Sequence, residues 1–460
     1  MFKNILRVLS ANGVVAVIGL ISSLYLPKIL TIDDYATYQT FILYMSYIAI
    51  LHLGFPTGMN IKYAGKNLEN VDKSQYKAEI RIILVILSFF SCLGLIIYIA
   101  TKQKMLLYIS IMVFLYCFLG SFSLLMQAFG KFKVYAVLHI LMSAIPLIIP
   151  IAYYYLFHSA SAKLCILAYI IVYAVTTIGC LGYHHGFVGG VNCARLITGE
   201  NWNTEKLGFS FLLGNYINSL FHSIDKQFVK WFCITSEFSY YSFGLTMQST
   251  MTIFITAVSQ PLFPYMAAGK LKGPKQFSTV KRFLLMLGSV SGLAYFACTL
   301  VVTHWIPDYS YSLPVIRVYF AVFPAMAVIN CLYFNLYKIK KMTRRYIIDL
   351  LVLLVAAAIA NYIAVQMGYG YVGVAFATTV LNYIWLVYGS FIFKELKLDV
   401  KEIVFIILFL AEFLLVPRID SILLGAVTYL ISDLFISILC FRNELGILIK
   451  KYVGKTQSLG

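Results

Sequence analysis

The sequence predicts an all-α polytopic membrane protein of fourteen transmembrane helices, or twelve if the last pair forms a re-entrant hairpin. Three observations carry this. Hydrophobic residues fill 61% of the 460 positions and charged ones only 12%, against about 25% charged in soluble domains. Apolar stretches of about 20 residues, the length a helix needs to cross a bilayer, recur from end to end. The basic residues gather in alternate connections between those stretches.

In chain order, the apolar segments fall near 5–30, 35–60, 80–101, 105–128, 132–157 and 163–187. After a polar connector come 207–234, 237–266, 280–304, 313–337, 345–366 and 370–393, then 402–416 and 421–441. The first is too long for a signal peptide and has no small-residue cleavage pattern, so it is expected to stay as a helix. The segment at 402–416 is short and contains Glu412, which makes the last pair the least regular.

Loop charge tests the count. With the N-terminus inside, 28 of the 36 Lys and Arg fall on the inner side and 6 on the outer. The remaining two, Lys226 and Lys230, lie within a helix. Such a bias places both termini in the cytoplasm under the positive-inside rule.

The formal charge of +18 therefore reports topology, and no nucleic-acid partner is expected. Nine cysteines are scattered singly through apolar segments, with no metal-ligand spacing, and read as small hydrophobes. No phosphate-binding Gly-rich loop occurs and no outer loop is long enough to fold alone, so neither cofactor nor metal is expected.

A faint internal repeat runs through the chain. Lys28-Ile-Leu-Thr-Ile-Asp-Asp-Tyr aligns with Lys230-Trp-Phe-Cys-Ile-Thr-Ser-Glu at an offset of 202. Phe55-Pro56 recurs as Phe263-Pro264 at an offset of 208, and Lys131-Phe-Lys133 as Lys338-Ile-Lys340 at 207. Six helices separate the copies, so both have the same orientation, as in transporters built from parallel repeats.

The segment 214–230 carries the densest intramembrane polarity. At about 100° per residue, Asn215, Asn218, Ser219, His222, Asp225, Lys226 and Lys230 share an arc of about 140° on one helix. An ionised group at mid-membrane costs at least about 2.5–3.5 kcal/mol, so this face is expected to line a polar cavity. The competing reading makes Asp225 and Lys226 a structural ion pair, with Asn and Ser as interhelical glue.

Other polar residues read as structural. Arg345 and Asp349 are spaced to pair along a helix. Glu412 and Asp433 are expected to pair with neighbours, His184-His185 to sit solvated in a loop, and His52 and His139 to be satisfied core residues. Gln39, Asn60, Gln127, Asn330 and Asn335 could each bond a hydroxyl, although interhelical glue is the commoner role.

Asp225-Lys226 together with Leu-Phe-Pro-Tyr at 262–265 resembles the middle of Wzx-type polysaccharide flippases. That superfamily also holds the multidrug and toxic-compound extruders. Gly368-Tyr-Gly-Tyr-Val-Gly-Val-Ala-Phe-Ala-Thr-Thr379 resembles the family's turn between helices eleven and twelve and is the most specific match. The resemblance runs from Leu26 to about Glu395. It departs at Ala36 and Ser239, where the family has glycine.

The resemblance implies two six-helix lobes in a V around a central cavity, with domains at 1–206, 207–400 and a helix pair with tail at 401–460. It implies a flippase, not an enzyme, in the bacterial cytoplasmic membrane. The cargo would be an O-antigen or capsular repeat unit on an undecaprenyl pyrophosphate carrier, moved by alternating access. Membrane lipids and other polysaccharide-assembly membrane proteins are the implied partners.

Residues suited to such a cargo are present. Lys226 and Lys230 supply positive charge, with Asp225 beside them, His222 a titratable donor and Asn218 an amide. Lys28 and Arg317 would extend the patch outward, and Arg7 would meet the pyrophosphate at the inner mouth. For Arg7 and Arg317, snorkelling to the interface competes with that role.

Tyr faces suit pyranose rings. The alternatives are a proton- or cation-coupled drug extruder, a membrane polysaccharide polymerase and a lipid II flippase. Two lysines to one aspartate on the cavity helix favour anionic cargo over cations. A polymerase would carry a long outer loop, and none is visible.

Overall fold

In a computed structural model the chain is helical, with no strand among the described residues. Those are residues 2–66, 68, 71–196, 198–269, 271 and 273–456, side chains excepted at 2–12, 260 and 447–456. The expected apolar segments are mainly helical, with breaks inside several of them, at 53–54 and 222–223 among others. Among the described residues, seven helices are long and apolar enough to cross a membrane, or up to ten if each bent pair is one span.

The chain divides into two compact units, Met1–Ser223 and Ile224–Gly460. The first holds α1 (Phe2–Ile29), α2 (Ile32–Tyr47), α3 (Phe55–Tyr63), α4 (Lys73–Thr101) and α5 (Lys104–Ala128). It continues with α6 (Phe132–Ser143), α7 (Ile145–Phe157), α8 (Ala162–Val188) and α9 (Gly199–Phe221). The second holds α10 (Ile224–Phe232), α11 (Thr235–Ala267), α12 (Gly273–Val290), α13 (Leu293–Trp305) and α14 (Leu313–Phe320). It is completed by α15 (Phe323–Val328), α16 (Phe334–Ile339), α17 (Thr343–Gln366), α18 (Gly370–Ile392), α19 (Val400–Leu415) and α20 (Ile422–Thr456).

Local chemistry sets the ends. Thr31, Asp72, Ser161 and Thr198 accept hydrogen bonds from the first free N–H groups of α2, α4, α8 and α9. Asp399 and Glu402 close a reciprocal capping box at α19. Between α2 and α3 the chain turns 65°, because Leu53 and Gly54 adopt left-handed backbone and Pro56 opens the next helix.

The seam between α3 and α9 packs backbone to backbone. A Cβ on Gly58 would strike the Thr204 carbonyl oxygen, and one on Gly208 that of Gly54. Lys62 then pairs with the fully buried Glu79 on α4 and, at 2.6 Å, with Glu200 on α9. These contacts hold α9 in the first unit. The division between the two compact units accordingly falls after Ser223.

One contact recurs in both units. In the first, Cys117 Sγ donates to the Ile48 carbonyl at 3.3 Å; in the second, Cys331 Sγ donates to that of Ile255 at 3.6 Å. Each bond ties the fourth helical segment of its unit's repeat to the second.

The following turns also match. Lys131 N bonds Met126 O beyond left-handed Gly130, and Met342 N bonds Tyr337 O beyond left-handed Lys341, both at 2.9 Å. The Lys-x-Lys match is not equivalent within them: 131–133 opens α6, whereas 338–340 closes α16 before its turn.

The last two helices are docked onto the second unit. Arg282 on α12 pairs with Asp399, Glu402 and Glu444, while Lys281 pairs with Glu402 at 2.7 Å. Gly292 leaves room for Tyr429, whose hydroxyl donates to Ser289 O at 2.6 Å.

Candidate functional site

The helix expected through 207–234 is interrupted. His222 and Ser223 leave the helix, and Ser223 Oγ donates to the carbonyls of Ser219 (2.9 Å) and Leu220 (3.4 Å). A serine that bonds the preceding turn competes with the backbone ladder and bends the helix. The seven polar residues therefore do not belong to one continuous helix. Asn215, Asn218, Ser219 and His222 belong to the first unit, and Asp225, Lys226 and Lys230 to the second.

In the second unit, α10 is short and strongly two-faced. Asp225 is 3% exposed and Lys226 7%. Tyr319 on α14 donates its hydroxyl to Asp225 Oδ2 at 2.6 Å, and Tyr241 on α11 bonds the Tyr319 hydroxyl in turn. Lys226 N–H lies 2.6 Å from Asp225 Oδ1. The carboxylate is thus held by phenol donors from two other helices, a role the sequence reading did not give to Tyr241 or Tyr319. Both tyrosines sit in apolar stretches where an anchor or core position is the ordinary reading.

Lys226 and Lys230 flank the ring of Phe238, with Nζ 5.8 and 5.0 Å from its centroid. Lys230 is only partly buried, and no carboxylate lies within 4 Å of it among the described residues. Gln227 Oε1 and both amide atoms of Asn361, on the packed pair α10 and α17, are buried and find no hydrogen-bond partner among the described residues. Left unbonded, each such group costs about 1–3 kcal/mol.

Arg317 is half-buried on α14, two residues before Tyr319. In the first unit Lys28 is exposed in the last turn of α1, His222 is exposed after α9, Asn215 is exposed and Asn218 half-buried. Asn218 Oδ1 has no partner among the described residues. The side chain of Arg7 lies outside the described residues.

Two structural expectations hold and one changes. Arg345 Nε bonds Asp349 Oδ1 at 3.0 Å, and Tyr337 and Tyr388 also donate to that carboxylate. Glu412 accepts from Ser432. His184-His185 is not in a loop: α8 continues to Val188, and His184 packs on Tyr76 with centroids 5.5 Å apart.

No family model matches the chain, and no curated protein matches it. Among solved structures, the lipid II flippase MurJ in its inward closed conformation matches with a TM-score of 0.67 at 14% identity. That match covers 96% of this chain and 100% of that one. The MATE transporter ClbM in complex with Rb+ gives 0.40 at 12% identity over 87% of this chain and 95% of that one. The eukaryotic MATE transporter AtDTX14 gives 0.33 at 12% identity over 84% and 93%. Likeness at such identities is likeness of fold, and only the first score is high enough to argue from. The chain has the fold of a MurJ structure across nearly its whole length.

Proposed function

We propose that this protein is a flippase of fourteen crossings that moves a polyprenyl-pyrophosphate-linked oligosaccharide across the bacterial cytoplasmic membrane by alternating access, and that it catalyses no covalent step. A pyrophosphate with several sugars would cost tens of kcal/mol to carry through about 30 Å of hydrocarbon unaided. A carrier must offer that head group cations and hydrogen bonds while the tail stays in lipid.

The observation that carries this reading is the charge on α10. The Asp225 carboxylate is already met by phenol donors, and Lys230 stands partly open on an aromatic ring without a carboxylate beside it. An excess cation in an otherwise apolar segment suits an anion. Lys226 reinforces the same sign. Arg317, Lys28, His222, Asn218 and Arg7 are the further residues proposed to meet the head group along its path.

An O-antigen or capsular repeat unit is the proposed cargo, with both termini in the cytoplasm. Lipid II is the second reading, favoured by the MurJ fold match. Gene deletion separates them. Loss of surface polysaccharide with cell-wall synthesis intact supports the first, whereas arrest of cell-wall synthesis supports the second. A deletion that changes neither sinks both.

A further inference from the structure

We propose that a cavity inside the first unit binds an uncharged sugar ring. The proposal deepens the flippase reading and rests on it for the source of the sugar. The cavity holds about 390 Å3, within the range of small-molecule sites. Its walls come from α5, α6, α8 and the 3-10 turn Ile48–His52 that precedes α3.

None of its fourteen lining residues is Asp, Glu, Lys or Arg. A phosphate here would find no cation to pair with, and a cation no carboxylate. The mainly apolar lining nonetheless carries uncharged polar groups. His52 Nδ1 accepts the Gly54 N–H at 3.0 Å, which places the ring proton on Nε2 and leaves that nitrogen as a donor. Ser121, Ser123, Ser143 and Gln127 add hydroxyl and amide groups, and His139 a second imidazole.

Flat rings complete the walls. Tyr135 and His139 stack at 5.9 Å with 11° between planes, and Tyr116 and Tyr173 at 6.0 Å with 22°. An apolar guest would strand the polar groups. An ion would lack a countercharge. A pyranose, with flat C–H faces and a rim of hydroxyls, satisfies both kinds of wall.

Gly120 provides a plug position, since a Cβ there would meet nothing within 4 Å although the residue lines the cavity. The test is saturation-transfer NMR on the full chain in a sugar-free detergent. The probes are methyl glucoside, methyl galactoside and methyl N-acetylglucosaminide, with inorganic pyrophosphate as competitor. Transfer to the ring protons of at least one glycoside is expected, falling about tenfold or more in Gly120→Phe and untouched by pyrophosphate.

Absence of transfer to all three, equal transfer in both proteins, or displacement by pyrophosphate overturns the proposal. If Gly120→Phe fails to give a monodisperse protein, Tyr135→Ala replaces it with the same expectation. A flipping assay keeps the two readings apart. Plug-sensitive glycoside binding without flipping leaves the cavity and removes the transporter, and flipping without glycoside binding does the reverse.

Discussion

Replacing Arg282 by Met should loosen the last two helices from the rest of the second unit. Arg282 is 19% exposed and meets Asp399, Glu402 and Glu444, while Lys281, fully buried, meets Glu402 and donates to the carbonyls of Leu396 (3.0 Å) and Lys397 (2.8 Å). Two cations therefore face three carboxylates. Removing Arg282 leaves one against three. Breaking a buried pair by deleting one partner typically costs about 3–5 kcal/mol, because the other charge stays buried.

Arg282→Lys keeps the charge but cannot fork between carboxylates, so its loss should be smaller. Arg282→Met/Glu444→Met removes one of the stranded anions and should recover part of the loss, a coupling of about 0.5–3 kcal/mol. Denaturant unfolding in detergent gives the magnitude, and amide hydrogen exchange shows where it falls. The expected signature is faster exchange in α19 and α20 with α17 and α18 unchanged. An Arg282→Met protein as stable as the native one, with unchanged exchange, would refute the reasoning.

Tyr319→Phe removes the direct donor to Asp225 and should cost about 1.5–3 kcal/mol, the range for a hydrogen bond to a charged group. Tyr241→Phe should cost less, since it bonds Asp225's partner Tyr319; the same unfolding experiment compares them. Gly208→Val should separate α3 from α9, because its side chain meets the Gly54 carbonyl, and a lower melting midpoint with faster exchange in both helices would show it.

Acid should weaken the α19 cap. Burial pushes the Asp399 carboxyl up, but the Glu402 N–H and the Arg282 guanidinium outweigh this and hold it below the usual 3.8. The unfolded chain then binds more protons near that pH. This contribution is present above about pH 4 and is lost as pH falls through the lowered value, read as a stability decline that Asp399→Asn lacks.

The positions of the apolar segments were legible because the length a bilayer demands and the bias of basic loops are both composition signals. Of the internal repeat, a cysteine-to-carbonyl bond recurs in both units, whereas the Lys-x-Lys match joins positions that are not equivalent, because short basic loops resemble one another wherever they fall. The break at His222–Ser223 was not, since a polar strip has the same periodicity whether the helix runs through it or stops. The partners of Asp225 were hidden for a related reason. Tyr241 and Tyr319 lie 16 and 94 positions away, and nothing local marks a tyrosine that donates to a carboxylate.

The sugar-shaped cavity also escaped notice. His52 and His139 read as lone core histidines until α5, α6 and α8 bring them beside Tyr116, Tyr135 and Tyr173. Conversely, the turn at Gly368–Gly370 could be anticipated. Both glycines are left-handed, and Tyr369 N bonds Ala364 O at 3.1 Å, a helix end that side chains with a Cβ rarely adopt.

Transport by reconstituted protein tests the central claim most directly. Liposomes carrying the chain and a fluorescently tagged polyprenyl-pyrophosphate oligosaccharide would be assayed by leaflet-specific quenching. The account predicts flipping by the native chain, retained in Lys230→Arg and lost in Lys230→Gln. Native protein that leaves the lipid in its starting leaflet, or Gln serving as well as Arg, would contradict it.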